Sequence, residues 1–323
     1  MVSIKDIAEK ANVSISTVSY ALNGSPKITE ETRNKILKIA KELNYVPNAA
    51  ARTLKKSKTN IIGAFVTDYS GQFFGPLLLG IKNTLSTAGY DLVVCTGKES
   101  RRFLPEGIID GAIVLDATYP TDEILKYAER GHKLVLLDRE INHENINSVL
   151  LDNETGAELA VQELLNIGLK HIVILSGPEN SYDSISRLNT ARKILEQYPE
   201  IQTTVINGDF DKESGAKAGE KIIENYSEPV GVFCLNDEMA IGMYNFLEKT
   251  DYEIGRHIYI IGFDNIELAG YIRPRLTTIN YSRENWGALA ADAMIQLLNN
   301  EKVKFDKIPV ELIRGESTTI SKE

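Results

Sequence analysis

The sequence predicts an all-α helix-turn-helix head followed by an α/β body of two doubly wound parallel-sheet lobes. Three observations predict it. Residues 1–46 hold three short runs of helical periodicity, each opened by a capping residue. From Ile61 onward, short apolar runs alternate with helical stretches, eight times over. Charge divides the chain in the same place. Residues 1–58 carry eleven Lys+Arg against five Asp+Glu, a balance of +6, while residues 59–323 carry 25 against 40, a balance of −15. A basic head on an acidic body points to a polyanion as the partner of the head.

Ser3 opens the first helix, with Asp6 three residues on and Ile4, Ile7 and Ala8 as its apolar face. Asn12 suits a left-handed turn after it. Ser14 caps the second helix, which turns Val18, Ala21 and Leu22 inward, and Asn23-Gly24 stops it. Thr29 caps the third, "EETRNKILKIAKELN", acidic at its start and basic later as the helix dipole favours. Ile36, Ile39, Ala40 and Leu43 form its inward stripe. Between Val13 and Thr29 there is no acid and one base, Lys27. Ser16, Ser19, Tyr20 and Asn23 fall on one face of the second helix, at i, i+3, i+4 and i+7. A merely solvated face usually carries Glu, Lys or Arg, so this stripe calls for a surface that short hydroxyls and amides can approach. Pro47 then breaks the pattern. Asn48 caps a short helix from Ala49 to Lys56 that has little to bury except Leu54 and is marginal alone.

In the body the strand candidates are "IIGAFV", "DLVVC", "GAIVL", "KLVLL", "HIVIL", "TTVIN", "GVFCL" and "YIIGF". Runs apolar on both faces read as buried parallel strands. Eight exceed one core, so two lobes with a cleft are expected, with ligand at the carboxyl ends of the strands. Neither an internal repeat nor a low-complexity tract is visible. Cys95 and Cys234 sit in apolar runs and read as small packed hydrophobes. "MVSIKDIAEKA" lacks the apolar core of a signal peptide, and no run approaches the ~18 apolar residues of a membrane span. A cytoplasmic protein with no membrane partner is expected. His132, His143, His171 and His257 are scattered without metal-ligand spacing, and no nucleophile elbow or dinucleotide loop is present. "CTGKES" has the tail of a phosphate loop, but Leu92 stands in place of its first glycine and Glu99 in place of its hydroxyl. No metal, cofactor or enzymatic activity is expected.

"SIKDIAEKANVSISTVSYALNG", "YVPNAAARTL" and "IIGFDNIELAGYIRPRLTTI" together resemble the LacI/GalR family of bacterial transcription regulators. The resemblance spans nearly the whole chain. It implies a homodimer with a DNA-binding head (1–46), a hinge helix and linker (47–58), and an effector-binding and dimerisation body of periplasmic-binding-protein type (59–323). It implies that Ile15, Ser16 and Tyr20 meet base edges of a double-stranded operator. Thr17, Ser19 and Asn23 would touch the DNA backbone, Ser14 is a further DNA-binding candidate, and Asn48, Ala51 and Leu54 would belong to the hinge that enters the minor groove. Tyr20 departs from the arginine common there and cannot make the two-pronged contact to guanine.

For a sugar or sugar-phosphate effector the resemblance implies Phe73, Phe74, Asp138, Arg187, Phe210, Asn236, Asp264 and Tyr281, with Arg283 as a further candidate. Asp237 reads as a helix cap. Ser181 and Asp183 stand where a purine-binding relative has extra polar contacts, which favours a sugar over a purine. The segment "TGKESRRFLPEGIID" is shorter than the usual helix-bearing one, and Pro105 and Gly107 argue against a full helix in it. No leucine heptads follow "VELIRGEST", so a tetramer through a C-terminal coil is not expected. The expected function is a repressor of carbohydrate-metabolism genes. The alternatives are a regulator controlled by a partner protein and a sugar-binding protein without a regulatory role.

Overall fold

Ser3, Ser14 and Thr29 each open a helix: α1 (Ile4–Ala11), α2 (Ile15–Leu22) and α3 (Glu30–Glu42). The computed structural model describes residues 2–46, 58–227 and 229–319, and the chain forms two units, Met1–Thr59 and Asn60–Glu323. At α1 the Asp6 carboxylate accepts the Ser3 backbone N–H at 2.7 Å. Ser14 Oγ accepts from Thr17 N–H at 3.1 Å, and Thr29 Oγ1 from Thr32 N–H at 3.3 Å. Asn12 is left-handed, at φ 55°. Ile7, Val18 and Ile36, one from each helix, are fully buried against Ala8, Ala11, Ala21 and Ala40. The small alanines let three short helices approach closely enough to share one core. Burying such a branched side chain contributes about 1.5–3 kcal/mol.

The body starts with five parallel strands: β1 (Ile61–Val66), β2 (Asp91–Cys95), β3 (Gly111–Leu115), β4 (Lys133–Leu136) and β5 (Ile146–Ser148), in the order β2-β1-β3-β4-β5. A second sheet holds β6 (His171–Ser176), β7 (Gln202–Asn207), β8 (Val230–Cys234), β9 (Ile258–Phe263), β10 (Thr277–Asn280) and β11 (Glu311–Ile313). Its order is β11-β10-β9-β8-β6-β7, parallel except for β10 with β11. In each lobe the first strand lies between the second and the third. The two lobes therefore share one winding, although no repeat is visible in the sequence. The order reverses between β1 and β3 and between β6 and β8, and the carboxyl ends at such points line a crevice. The eight expected strands are present. Three shorter ones, β5, β10 and β11, were not among the expected runs; each has three or four residues, too few to show a period.

Helices cover the sheets: α4 (Phe74–Thr87), α5 (Thr121–Glu129), α6 (Asn153–Ile167), α7 (Tyr182–Leu195), α8 (Lys212–Asn225), α9 (Asp237–Leu247) and α10 (Arg283–Leu298). α10 follows the second sheet in sequence yet packs along α4 in the first lobe. Two glycines permit this. A Cβ on Gly287 would collide with the Leu77 carbonyl oxygen, and one on Gly80 with that of Glu284. Where the chain passes between lobes, Leu151 bridges Ile308, and Trp286 Nε1 donates to Val149 C=O at 2.8 Å. The lobes also touch across the cleft. Gln72 Oε1 accepts the Leu268 N–H at 3.0 Å, and Asn180 Nδ2 donates to Ala117 C=O at 3.4 Å. The short 96–110 segment forms one 3-10 helix, Lys98–Phe103. It sends Arg101 inward to Thr118 C=O (2.8 Å), Glu123 (3.5 Å) and the Tyr119 ring (4.6 Å to the centroid).

Candidate nucleic-acid interface and effector cleft

Val18 and Ala21 seat α2 in the core of the head, which turns its opposite side outward. Ile15 is 46% exposed and Ser16 is exposed, while Thr17, Ser19 and Tyr20 are half-buried. An isoleucine offered to water at a helix start gains by meeting an apolar group such as a thymine methyl. Ser14 and Thr17 hydroxyls pair at 2.8 Å. Asn23 turns its amide back, donating to Ser19 C=O at 2.7 Å, so part of that side chain serves the helix end. Asn48, Ala51 and Leu54 lie outside the described residues.

In the body, the candidate effector residues follow strand ends. Asp264 comes directly after β9, Tyr281 after β10, and Asn236 two residues after β8. Arg187 lies on α7 and is buried. Three of these form one network. The Tyr281 hydroxyl donates to Asp264 Oδ1 at 2.8 Å, and Arg187 Nη1 stands 3.9 Å from the same oxygen. The Arg187 guanidinium carbon lies over the Phe263 ring, 3.5 Å from its centroid, and Nε donates to Asn153 Oδ1 at 2.8 Å. Asn153 in turn donates to Asp183 Oδ1 at 2.7 Å. Arg283 Nη1 donates to the Asp264 carbonyl and Nη2 to that of Asn265 at 3.2 Å, holding Asp264 at φ 107°.

Burial pushes the Asp264 carboxyl up to about 6, against the pull of the Arg187 and Arg283 guanidiniums. Burial also raises Asp183, with Arg187 again opposing, and it raises the Tyr281 phenol, helped by the Asp264 charge. The network is a desolvated cation between two reluctant carboxyls. It gains most from a ligand that brings its own donors and acceptors.

Other candidates stand around this centre. Phe210, at φ 62°, lays its ring where a Cβ on Gly177 would be, and its carbonyl accepts from Asn236 Nδ2 at 2.9 Å. In the first lobe, Asp138 is held on both oxygens by its neighbour Arg139, Nε to Oδ1 at 2.9 Å and Nη2 to Oδ2 at 2.7 Å. Phe73 and Phe74 meet edge to face at 5.1 Å, and both are part-buried. A ladder of rings connects the lobes. Phe263 is 6.1 Å from Tyr281, Tyr281 is 6.0 Å from Trp286, and Trp286 is 6.5 Å from Phe73.

One expectation is corrected. Asp237 does not cap α9; Asn236 does, accepting from Met239 N–H at 2.9 Å. Asp237 is fully buried and accepts from Thr278 Oγ1 at 2.6 Å and Ile266 N–H at 2.9 Å, so it ties β10 and the loop after β9 to α9. Sequence reasoning missed Asn153, Arg139 and Trp286. "LLDR" contains the Asp138–Arg139 pair and the chain has a single tryptophan, but nothing local marks Asn153. Among the described residues no cluster of His, Cys, Asp and Glu could hold a metal, and no helix is long and apolar enough to cross a membrane.

Comparison with known proteins matches residues 3–48 to "Bacterial regulatory proteins, lacI family" and residues 161–318 to a "Periplasmic binding protein-like domain". The probable HTH-type transcriptional repressor ExuR of Bacillus subtilis (strain 168) is 34% identical over 317 residues, 95% of each chain. The HTH-type transcriptional repressor PurR of Vibrio atlanticus is 31% identical over 99% of this chain and 100% of its own. Among solved structures, a sugar-binding transcriptional regulator (LacI family) from Enterococcus faecalis is 48% identical with TM-score 0.77, covering 80% of this chain and 98% of that one. The lac repressor dimer bound to operator and the anti-inducer ONPF is 26% identical with TM-score 0.83, covering 98% and 99%. Identity at this level along nearly the full length means that the chain belongs to the LacI family of bacterial regulatory proteins, and is a DNA-binding regulator of transcription.

Proposed function

We propose that this regulator is a repressor of carbohydrate-metabolism genes whose hold on a double-stranded operator is set by a sugar or sugar phosphate in the cleft. Residues 1–46 act as the reading head, 47–58 as hinge and 59–323 as the effector-binding and dimerising body. The chain works as a homodimer and turns over nothing. Ile15, Ser16 and Tyr20 read base edges. Ser14, Thr17, Ser19 and Asn23 lie on the backbone, and the segment with Asn48, Ala51 and Leu54 enters the minor groove.

The observation that carries the effector reading is the Arg187–Asp264–Tyr281 network. A guanidinium, a carboxylate and a phenol meet at the ends of two strands, beside the Phe263 and Trp286 rings. Adjacent donors and acceptors beside apolar rings suit a polyhydroxyl ring, which offers both on its edges and a C–H face between them. Asn236, Phe210, Asp138, Phe73 and Phe74 complete the lining. Ser181 caps α7, and Asp183 accepts from Asn153.

The test is selection of duplex fragments by the purified protein, alone and with panels of sugars, sugar phosphates and purines. One palindromic motif, released or tightened by a member of the sugar panels alone, is expected. Release by a purine alone would overturn the effector class.

A further inference from the structure

Tyr20 leaves a deficit on the groove-facing side of α2. Its one hydroxyl cannot supply the paired donors that an arginine there would offer to guanine. The structure puts a cation beside it. Lys27 Nζ lies 5.4 Å from the centroid of the Tyr20 ring. Lys27 is the only charged residue between Val13 and Thr29. Among the described residues no carboxylate pairs with it. Glu30, the acid nearest in sequence, faces Arg33 at 3.4 Å.

The turn that returns Lys27 to Tyr20 is built by hydrogen bonds. Gly24, at φ 66°, adopts the left-handed conformation, which glycine enters without a Cβ penalty. Its N–H donates to Ala21 C=O at 3.2 Å, and the Ser25 N–H donates to Tyr20 C=O at 2.9 Å. This pair of bonds closes α2 in a Schellman turn whose outer bond ends on Tyr20 itself. Ser25 is then held twice. Its Oγ accepts the Lys27 N–H at 3.3 Å, and its carbonyl accepts Arg33 Nη2 from α3 at 2.8 Å. Pro26 between them restricts φ. Position 27 is thus fixed over the tyrosine by the helix end, the turn and the third helix. The ring face then attracts the ammonium and narrows its rotamers.

We propose that Lys27 and Tyr20 form a composite base reader, in which the Tyr20 ring is a platform that aims the Lys27 ammonium at the acceptor edge of a guanine in each operator half-site. This rests on the reading of α2 as the groove helix. An ammonium has three donors and guanine offers N7 and O6 together, so one cation can serve both acceptors. The flexible chain of a lysine is costly to order. A ring already holding it removes part of that cost before DNA arrives.

The experiment is selection of randomised operators by the full chain and by Lys27→Met, Lys27→Arg, Tyr20→Phe and Tyr20→Leu, with affinity for the selected site measured across salt. Lys27→Met is expected to lose guanine preference at one base pair by roughly 10-fold or more, and Tyr20→Leu to lose it at the same pair. The double variant Lys27→Met with Tyr20→Leu should lose no more than either single variant, because the two act as a unit. Lys27→Arg and Tyr20→Phe, which keep cation and ring, should retain guanine. Lys27 is exposed, so the thermal melt should not move. Suppose instead that Lys27→Met weakens every sequence alike and lowers the salt slope by about one. Lys27 then touches phosphate, and the composite reader is wrong even though α2 still reads bases through Tyr20. No change with Lys27→Met also overturns it. If the Tyr20 variants leave the motif untouched as well, the groove-facing assignment of Tyr20 falls too.

Discussion

Asp264 carries the cost of a buried carboxyl. Its carboxyl ionises near pH 6 in the folded chain and near 4 in an unfolded one. The folded chain therefore holds an extra proton in that window, and stability falls as pH rises through it, then levels off. Asp264→Asn still accepts the Tyr281 hydroxyl but has no charge to bury. Relative to wild type the variant should gain up to about 3 kcal/mol between pH 4 and pH 7.5, seen in urea unfolding at the two pH values. A stability gap that ignores pH would place the proton elsewhere. The same variant should bind operator and fail to respond to effector, read in an operator-binding titration. A side chain that weakens its own fold and is needed for response is what a ligand site predicts. Arg187 is the counterpart: its guanidinium is buried on the Phe263 ring, with Asn153 fixing one edge.

Among elements, the crossing of α4 and α10 joins the first lobe to the Asp264 network. α10 starts at Arg283, which holds the Asp264 carbonyl, and carries Trp286 in the ladder of rings. The two helices touch backbone to backbone at Gly80 and Gly287. Gly287→Ala should push them apart and destabilise the body by about 1–3 kcal/mol, the range of an overpacked core. Gly75→Ala, on the first turn of α4 with open space around it, is the control and should be neutral or slightly stabilising. Thermal melts of both variants check the pair. Equal melts would mean that the crossing relaxes without cost. The shortened 96–110 segment is a second case. With no full helix to pack, it sends Arg101 under the 116–119 loop, and that loop reaches Asn180 of the other lobe.

At the scale of the whole molecule, charge and covalent path divide the work. The head carries +6 per subunit and the body −15, so attraction to DNA is confined to one end of the chain. Operator affinity should fall roughly 10³-fold or more between 50 and 200 mM salt, because each phosphate contact releases counterions. A filter-binding or anisotropy titration across salt reads the slope directly, and a flat response would contradict a phosphate-tracking head. In the body the chain returns to the first lobe through α10 and then to the second through β11. The chain thus crosses between the lobes three times, near Leu151, Tyr281 and Ile308.

Much of this was legible in the sequence, for a physical reason. Caps and helical periods act over three to seven residues, so Ser3, Ser14 and Thr29 with Ile7, Val18 and Ile36 announce the head before it folds. Apolar runs of five or six residues announce the parallel strands in the same way, but β2 and β7 lie at sheet edges and are partly exposed, so the expectation of burial on both faces fails there. The resemblance to a known family named Arg187, Asp264 and Tyr281, and the structure joins them in one network. Only the tertiary structure decided what joins residues far apart in sequence. Asn153 reaches Arg187 and Asp183, and Trp286 reaches Val149. It also settled Asn236 against Asp237 as the cap of α9. Both side chains can cap a helix, and the choice was made by Thr278 of β10 and Ile266 of the loop after β9, which take Asp237 into the core and which no local pattern links to it. Caps and periods act through neighbours along the chain, whereas burial and pairing act through neighbours in space, which the sequence does not list.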